Sequence, residues 1–154
     1  MPKWGYSFKE TEPEIMVKAS GRDLKISPKA AREICGAIRT MNFERARRFL
    51  QDVIDKKRAV PYRRYNKQMS HKKGLVGWYS GRYPVKAASE IMKILNGLEA
   101  NAEDKGLYVE NMKIVHAAAQ RGRIIKRYMP RAFGRSSPKY NQLCHVELLA
   151  KEIR

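Results

Sequence analysis

The sequence predicts an α+β fold in which three helices pack on a small antiparallel sheet and a long β-hairpin protrudes from that sheet. Three observations indicate it. Segments with helical spacing of apolar residues lie between one strand-like segment and two later ones. Two long segments are rich in Lys and Arg and contain no acidic residue. The length, 154 residues, suits one domain with a modest core.

A strand and a helix are predicted first. Residues 13–26, PEIMVKASGRDLKI, have a strand-like pattern, with a turn expected at Ser20-Gly21. The helix in SPKAAREICGAIRTM begins with Ser27 as the N-cap and Pro28 at the first helical position, where its missing N–H costs nothing. Its buried face has the spacing i, i+3, i+4, i+7 and consists of Ala31, Ile34, Cys35 and Ile38.

Two further helices are predicted from the same kind of pattern. Asn42 can cap the helix in FERARRFLQDVIDKK. The apolar stripe of this second helix is Phe43, Ala46, Phe49, Leu50, Val53 and Ile54. Pro84 opens the third helix, PVKAASEIMKILNGLEANAEDKG, and Gly106 is its expected C-cap. The shared face of the third helix is Val85, Ala88, Met92 and Leu95.

The last third of the chain predicts two long strands. NMKIVHAAAQRGRIIKRYM runs up to a bend rich in Pro, Gly and Ser, and YNQLCHVELLAKEI returns. A continuous first strand of roughly 15 residues would measure about 50 Å, whereas ordinary strands have about 5 or 6 residues. A domain of this mass cannot pack both strands along their whole length, so part of the hairpin must project. We therefore predict one domain, 1–154, with a globular part at about 14–112 and 146–154, a basic loop at about 56–83 and an extended hairpin at about 113–145.

The net charge of +18 is unusually high, with 33 Lys and Arg against 15 Asp and Glu. Such an excess destabilises a compact state unless a polyanion binds it, either nucleic acid or an anionic membrane surface. No apolar run approaches the about 20 residues that span a bilayer, and the start, MPKWGYSFKETEPE, has no apolar region of a secretory signal. Cys35 and Cys144 are therefore expected to be reduced, buried thiols of a cytosolic protein.

The positive charge is concentrated in two segments without acidic residues. Residues 56–89 contain ten Lys or Arg, and residues 111–146 contain eight. A two-stranded ribbon is marginally stable alone, and like charges weaken it further. Contact with polyphosphate is therefore a better explanation than a solvated basic face. The predicted RNA-binding residues are Arg58, Arg63, Arg64, Lys67, Lys72, Lys73, Arg82, Lys86, Arg121, Arg123, Lys126, Arg127, Arg131, Arg135 and Lys139.

Aromatic residues are interleaved with the cations of the first segment. Tyr and Trp rings can stack on unpaired bases while Lys and Arg hold the backbone, a combination typical of proteins that bind RNA. For any single ring, packing in a small core under the loop is an equally good explanation. The candidate base-stacking residues are Tyr62, Tyr65, Trp78 and Tyr79.

The sequence offers little for catalysis. Gly74, Gly77 and Gly81 lack the spacing and the lysine of a phosphate-binding loop, and no Cys/His cluster indicates zinc. Asp52 and Asp55 could hold Mg²⁺ for an RNA nuclease, but the Lys and Arg residues that follow favour an ion-paired helix end. We predict no enzyme, no cofactor and no metal. A DNA-architectural protein with a basic arm in the minor groove remains an alternative.

The residues KRYMPRAFGR, Lys126–Arg135, followed by His-Val at 145 and 146, carry a family resemblance. They resemble the hairpin tip of the universal L-twenty-two family of large-subunit ribosomal proteins, called L-seventeen in eukaryotes. ISPKAAREICGAIR and RYPVKAASEIMKILNGLEANAEDKGL look like the first and third helices of that family. The resemblance covers residues from about 14 to 153. The long basic-aromatic segment resembles the archaeal and eukaryotic version, and the lack of long tails favours an archaeal type.

The resemblance implies a structural constituent of the large ribosomal subunit that binds 23S-type rRNA and aids its assembly. The hairpin would line the peptide exit tunnel, with its tip at the constriction. The implied partners are this rRNA, neighbouring ribosomal proteins and the nascent peptide, with one copy per ribosome, in the cytoplasm and away from membranes. Phe133 departs from the basic residue that bacterial members often carry. The implied tunnel-tip residues are Tyr128, Met129, Pro130, Phe133 and Gly134.

Overall fold

A computed structural model describes residues 5–9 and 12–153. Its elements are β1 (Met16–Leu24), α1 (Pro28–Ile38), α2 (Phe43–Ile54), β2 (Val60–Pro61), β3 (Gly81–Arg82), α3 (Val85–Asp104), a short 3-10 helix (Val109–Asn111), β4 (Met112–Ile125), β5 (Tyr128–Pro130), β6 (Ser136–Pro138) and β7 (Asn141–Glu152). Three helices pack against small antiparallel sheets, so the predicted α+β class is confirmed.

The last strand, β7, lies at the centre of the main sheet, whose order is β1-β7-β4. Residues 143–150 of β7 are all buried. Strands cover both of its edges, α1 and α3 pack on the sheet, and Ser7 contacts Glu147. Alternate side chains point to opposite faces. Those that join the core are Cys144, Val146, Leu148 and Ala150. His145 and Glu147 therefore point to the other face.

The helices bury the apolar stripes predicted for α1 and α2, although Ile54 is only half-buried. The stripe predicted for α3 is partly wrong, because Val85 and Met92 are also only half-buried. Its buried residues are Ala87, Ala88, Ile91, Ile94, Leu95, Leu98 and Ala102. The face is wider than predicted because α3 contacts α1, α2 and the sheet together.

The starts of α1 and α2 and the end of α3 lie at, or within one residue of, the positions that capping residues predicted. Ser27 and Asn42 occupy the N-cap positions of α1 and α2 in extended backbone conformations, but neither side chain makes a capping hydrogen bond. Lys105, one residue before the predicted position, is the C-cap of α3. Gly106 follows with φ of 70°, and its N–H donates to the Glu103 carbonyl at 2.8 Å. A glycine just after the C-cap readily adopts this left-handed conformation and ends the helix.

The turn predicted at Ser20-Gly21 is wrong, because β1 continues through both residues. They pair with Glu147 and Val146 of β7, and the register becomes irregular only between Gly21 and Leu24. A Cβ at Gly21 would lie 2.6 Å from Cδ1 of Ile94. The glycine therefore permits the close approach of α3 to the sheet. A glycine inside a strand often marks such a close approach.

The β4–β7 pairing continues past the end of β1 and forms the hairpin. It runs to the pair Ile125–Asn141, and β5 and β6 then pair from Tyr128–Pro138 to Pro130–Ser136. β4 has 14 residues, close to the predicted length, with two irregularities in register. All residues from 126 to 140 are exposed except the half-buried Ser137. This exposure is what a projecting arm requires.

Both cysteines are free and buried, as predicted. Burial raises the pKa of Cys35 to about 12 and that of Cys144 to about 11. Thiols with such pKa values stay protonated near neutral pH and are poor nucleophiles. Within residues 5–9 and 12–153, no helix is long and apolar enough to cross a bilayer.

Glu147 holds residues 5–9 against the sheet. Ser7 donates its backbone N–H and its hydroxyl to Oε2 of this carboxylate, at 3.0 and 2.7 Å, and Arg22 donates to Oε1 at 3.4 Å. The Nε2 atom of His116 lies 3.2 Å from the Ser7 hydroxyl, and the His116 ring packs on Phe8. Because the Glu147 side chain is only 1% exposed, its contacts determine its protonation.

We expect acid to weaken this attachment in two steps. Burial alone would raise the pKa of Glu147, but the Ser7 hydrogen bonds and the Arg22 charge outweigh it and lower that pKa below its ordinary 4.5. Burial also lowers the pKa of His116 below 6.5. Both folded groups bind protons more weakly than the unfolded chain does. The contribution of these two groups to the free energy of unfolding is therefore fully present above about pH 6.5. It decreases first as His116 is protonated, and it decreases further below about pH 4.5 as Glu147 is protonated.

Denaturant unfolding measured from pH 8 to pH 3 checks this expectation. Glu147→Gln should flatten the profile below about pH 4.5, and His116→Phe should flatten the region just below about pH 6.5. Glu44→Gln, which removes an exposed carboxylate of α2, is the matched control and should leave the profile unchanged. A Glu147→Gln profile that overlays the wild type at all pH values would contradict the assignment.

Candidate nucleic-acid interface

The predicted RNA-binding cations lie on the surface. All of them are exposed except the half-buried Lys72. Within the described part of the chain, only Arg123 among them pairs with a carboxylate, that of Asp23 at 3.6 Å. An exposed pair at this distance contributes little. The positive charge of the loop and hairpin is therefore almost uncompensated by the described carboxylates.

A buried carboxylate of α1 fixes the start of the basic loop. Glu33, 4% exposed, accepts the backbone N–H of Arg63 at 2.9 Å and that of Arg64 at 3.3 Å. The Arg32 guanidinium also donates to it, at 2.8 Å. These bonds hold the backbone and leave the Arg63 and Arg64 side chains exposed. Glu33 was not among the residues predicted for the interface, and its only signal in the sequence is its place beside the apolar stripe of α1.

Further hydrogen bonds tie the end of the loop to its beginning and to its middle. The Trp78 indole N–H donates to the Tyr62 carbonyl at 2.8 Å and to the Ser80 hydroxyl at 3.1 Å. The Tyr62 N–H donates to the Ser80 carbonyl at 3.0 Å, and the Lys72 N–H donates to the Tyr79 carbonyl at 2.9 Å. Although most of the segment has no regular secondary structure, these bonds give its backbone a defined path.

The four base-stacking candidates differ in exposure. Tyr62 is only 4% exposed and belongs to the hydrophobic core, which removes it as a base-stacking residue in this structure. Burial raises its pKa accordingly. Tyr65 and Trp78 are half-buried and Tyr79 is exposed. The Trp78 and Tyr79 rings stack with centroids 5.0 Å apart, and the Arg63 guanidinium lies 6.0 Å from the Trp78 ring.

The tip of the hairpin is a five-residue loop. The Arg131 N–H donates to the Arg135 carbonyl at 2.8 Å, and the Arg131 Nε–H donates to the Ser137 hydroxyl at 3.0 Å. Phe133 and Gly134 have φ of 56° and 64°. This left-handed pair reverses the chain and leaves the Phe133 side chain 95% exposed.

The other residues predicted for the tunnel tip, Tyr128, Met129 and Pro130, lie on β5 and are also exposed. The Tyr128 ring packs edge-on against Tyr140 across the hairpin, with centroids 6.2 Å apart. The tip thus presents apolar and aromatic groups between its cations.

The two aspartates considered for a nuclease lie at an ion-paired helix end, as predicted. The Lys57 ammonium lies 3.1 Å from the Asp55 carboxylate, and its hydrogen bond is the main reason that the pKa of Asp55 is lowered. The Asp52 backbone carbonyl accepts the N–H groups of Lys57 and Arg58. Across the described residues, no group of three or more His, Cys, Asp or Glu side chains could hold a metal ion.

Known proteins resemble the chain along nearly its whole length. The family model described as ribosomal protein L22p/L17e matches residues 19–151. The chain belongs to this family. Proteins named "Large ribosomal subunit protein uL22" are 53% identical over 154 residues in Archaeoglobus fulgidus and 51% identical over 147 residues in Methanosphaera stadtmanae. These alignments cover 100% of this chain and 99% of the first relative, and 96% of both chains for the second.

Membership of the L22p/L17e family confirms the resemblance predicted from the hairpin tip and helices. The relative from Cenarchaeum symbiosum, 52% identical over 152 residues, is also archaeal, which supports the predicted archaeal type. The family consists of structural, non-enzymatic ribosomal proteins, so this chain is one, and the nuclease alternative is wrong. A DNA-architectural role outside the ribosome is not what the family indicates.

Proposed function

We propose that this L22p/L17e protein binds 23S-type rRNA in the large ribosomal subunit, aids its assembly, and lines the peptide exit tunnel with its hairpin. The relatives named as large-subunit proteins support a location in the large ribosomal subunit. We propose one copy in each cytoplasmic ribosome. Its other partners are neighbouring ribosomal proteins and the nascent peptide.

The observation that carries the rRNA proposal is the exposed, nearly uncompensated charge of the loop and hairpin. Each Lys or Arg that meets a phosphate releases condensed counterions, which is the main source of affinity for a polyphosphate. The bonds from Glu33 and Trp78 position the loop before binding, so less conformational entropy is lost on association. Tyr79 and the accessible part of Trp78 supply rings for unpaired bases.

The shape of the hairpin supports its proposed place in a tunnel wall. A two-stranded ribbon is narrow enough to pass between RNA helices, and Pro130 restricts the backbone near the tip. We propose that residues of about 113–145 form this arm and that about 14–112 and 146–154 form the body. The exposed Phe133, with Tyr128 and Met129, would face either RNA or the passing peptide.

Neutralising three cations of the hairpin tests the rRNA proposal. We expect Arg127→Gln/Arg131→Gln/Arg135→Gln to reduce the slope of log affinity against log salt by about 2 to 3, at about 0.7–0.9 for each lost phosphate contact. The measurement is binding to transcribed 23S-type rRNA domains at several salt concentrations.

The matched control removes the same charge from exposed residues of α2 and α3, as Arg45→Gln/Arg48→Gln/Lys93→Gln. It should leave the slope close to that of the wild type. A wild-type slope near zero, or an equal decrease in the control, would contradict binding through the hairpin.

A further inference from the structure

A cleft of about 790 Å³ opens beside the base of the hairpin. It lies between the start of α1, the start of α3, the basic loop and the first two residues of β7. Three of its lining residues, Lys25, Lys29 and Tyr83, are not among the predicted RNA-binding residues. Its volume falls within the about 300–1,000 Å³ typical of sites that hold a small molecule or a single chemical group of a larger partner.

The charged residues that line the cleft are all basic. Lys25, Lys29, Arg82 and Lys86 line it, and none of its described lining residues is Asp or Glu. The first turns of α1 and α3 also contain no acidic residue, so neither helix start offsets this charge. An anionic ligand would supply the missing counter-charge.

Aromatic rings form part of the same wall. Tyr65 and Tyr83 line the cleft and are half-buried. The Lys29 ammonium lies 5.5 Å from the Tyr65 ring centroid, and the Lys72 ammonium lies 5.6 Å from that of Tyr83. Rings with cations at this distance suit a ligand that combines a flat π-system with a negative charge.

Two side-chain amides complete the lining where β7 begins. Asn141 and Gln142 both contribute to it. The Gln142 Nε2 group donates to the Gly122 carbonyl at 2.5 Å and to the Leu143 carbonyl at 3.2 Å, so its orientation is fixed. The Gln142 Oε1 atom can still accept a hydrogen bond, and the exposed Asn141 amide can form a paired hydrogen bond with a base edge, which a ligand of charge alone would not use.

We propose that this cleft binds one unpaired nucleotide from an RNA loop. Its base would lie against Tyr83 and Tyr65, and its phosphates would contact Lys25, Lys29 and Lys86. Sequence-specific proteins commonly read RNA at loops whose bases are splayed out. An acidic peptide would satisfy the cations but would leave the rings and amides unused. The inference rests on the proposed rRNA function and names a subsite within it.

NMR titration of the isotope-labelled full-length chain with a single-stranded RNA hexanucleotide tests the proposal. We expect the hexanucleotide to shift the signals of residues 25–29, 82–86 and 141–142. Lys25→Gln/Lys29→Gln should weaken its binding about tenfold and lower the salt slope by about 1.4. Lys9→Gln/Lys93→Gln, which removes two exposed lysines elsewhere, should bind like the wild type.

The tyrosine variants separate stacking from charge. Tyr83→Leu should weaken hexanucleotide binding by roughly ten- to a hundredfold without changing the salt slope, whereas Tyr83→Phe should retain binding. Tyr83 is not part of the hydrophobic core cluster, so both variants should fold, as unfolding midpoints would verify. Equal binding by Tyr83→Leu and Tyr83→Phe would overturn the proposed stacking.

Other probes distinguish this inference from the proposed function. Inorganic phosphate or an acidic hexapeptide that shifts the same signals with equal affinity would overturn the nucleotide assignment. Unshifted cleft signals, together with salt-dependent binding to 23S-type rRNA, would overturn the cleft and leave the proposed function standing. Arg127→Gln/Arg131→Gln/Arg135→Gln should bind the hexanucleotide as the wild type does. If it does so and the wild type fails to bind 23S-type rRNA, the proposed function is overturned and the assignment of the cleft stands.

Discussion

Replacing residues 122–140 by a short turn will leave the body of the protein folded and lower rRNA affinity at least about a hundredfold at physiological salt. The deleted segment contains six Lys or Arg and contributes almost no buried surface, since only Gly122, Ile125 and Ser137 within it are even half-buried. We therefore expect the free energy of unfolding to change by about 1 kcal/mol or less. Calorimetric or denaturant unfolding gives the stability, and filter binding gives the affinity.

A second variant separates the charge of the arm from its shape. Changing the same six cations to Gln keeps the ribbon but removes its charge, and this variant should lose most of the affinity that truncation loses. If truncation unfolds the whole chain, the arm belongs to the core and the proposed division between body and hairpin is wrong. If the six-Gln variant binds as the wild type does, shape rather than charge accounts for binding.

Glu33→Ala will destabilise the protein by about 2–4 kcal/mol. The change leaves the N–H groups of Arg63 and Arg64 without their acceptor. It also leaves a cavity, because Glu33 is only 4% exposed. Because Glu33 also positions the basic loop, rRNA affinity should fall together with stability, and amide exchange at residues 63–64 should accelerate. Denaturant unfolding and hydrogen exchange measure the two effects.

Glu44→Ala on the neighbouring helix is the matched control. It removes the same charge from an exposed side chain that only forms an ion pair with Arg48, so we expect its effect to lie within about 0.5 kcal/mol. Glu33→Gln, which keeps an acceptor oxygen, should cost less than Glu33→Ala. Equal stabilities for Glu33→Ala and Glu44→Ala would show that the loop does not depend on the buried carboxylate.

The hairpin and the helix boundaries were predictable because their signals are local. The pattern Ser27-Pro28 marks the start of α1, and Gly106 marks the end of α3, since these residues favour particular backbone angles wherever they occur. The segment from about 111 to 146 is too long and too basic to be buried along its whole length, so part of it has to project. The exposure of the candidate cations was predictable for a similar reason, because a charged side chain without a carboxylate partner is costly to bury.

The tertiary structure decided what the sequence pattern left open. Tyr62 and Tyr79 have similar neighbours in sequence, but only the fold buries the first in the core and exposes the second. Gly21 suggested a turn, yet it pairs with Val146 of β7, more than a hundred residues away in sequence, and the Ile94 side chain of α3 lies 2.6 Å from where its Cβ would be. Glu33 and the cleft beside Lys25 likewise depend on contacts between distant segments.

Local composition determined where charge, helices and the hairpin lie. Long-range packing determined which polar and aromatic groups are covered, since the folding free energy comes from contacts that no short segment contains.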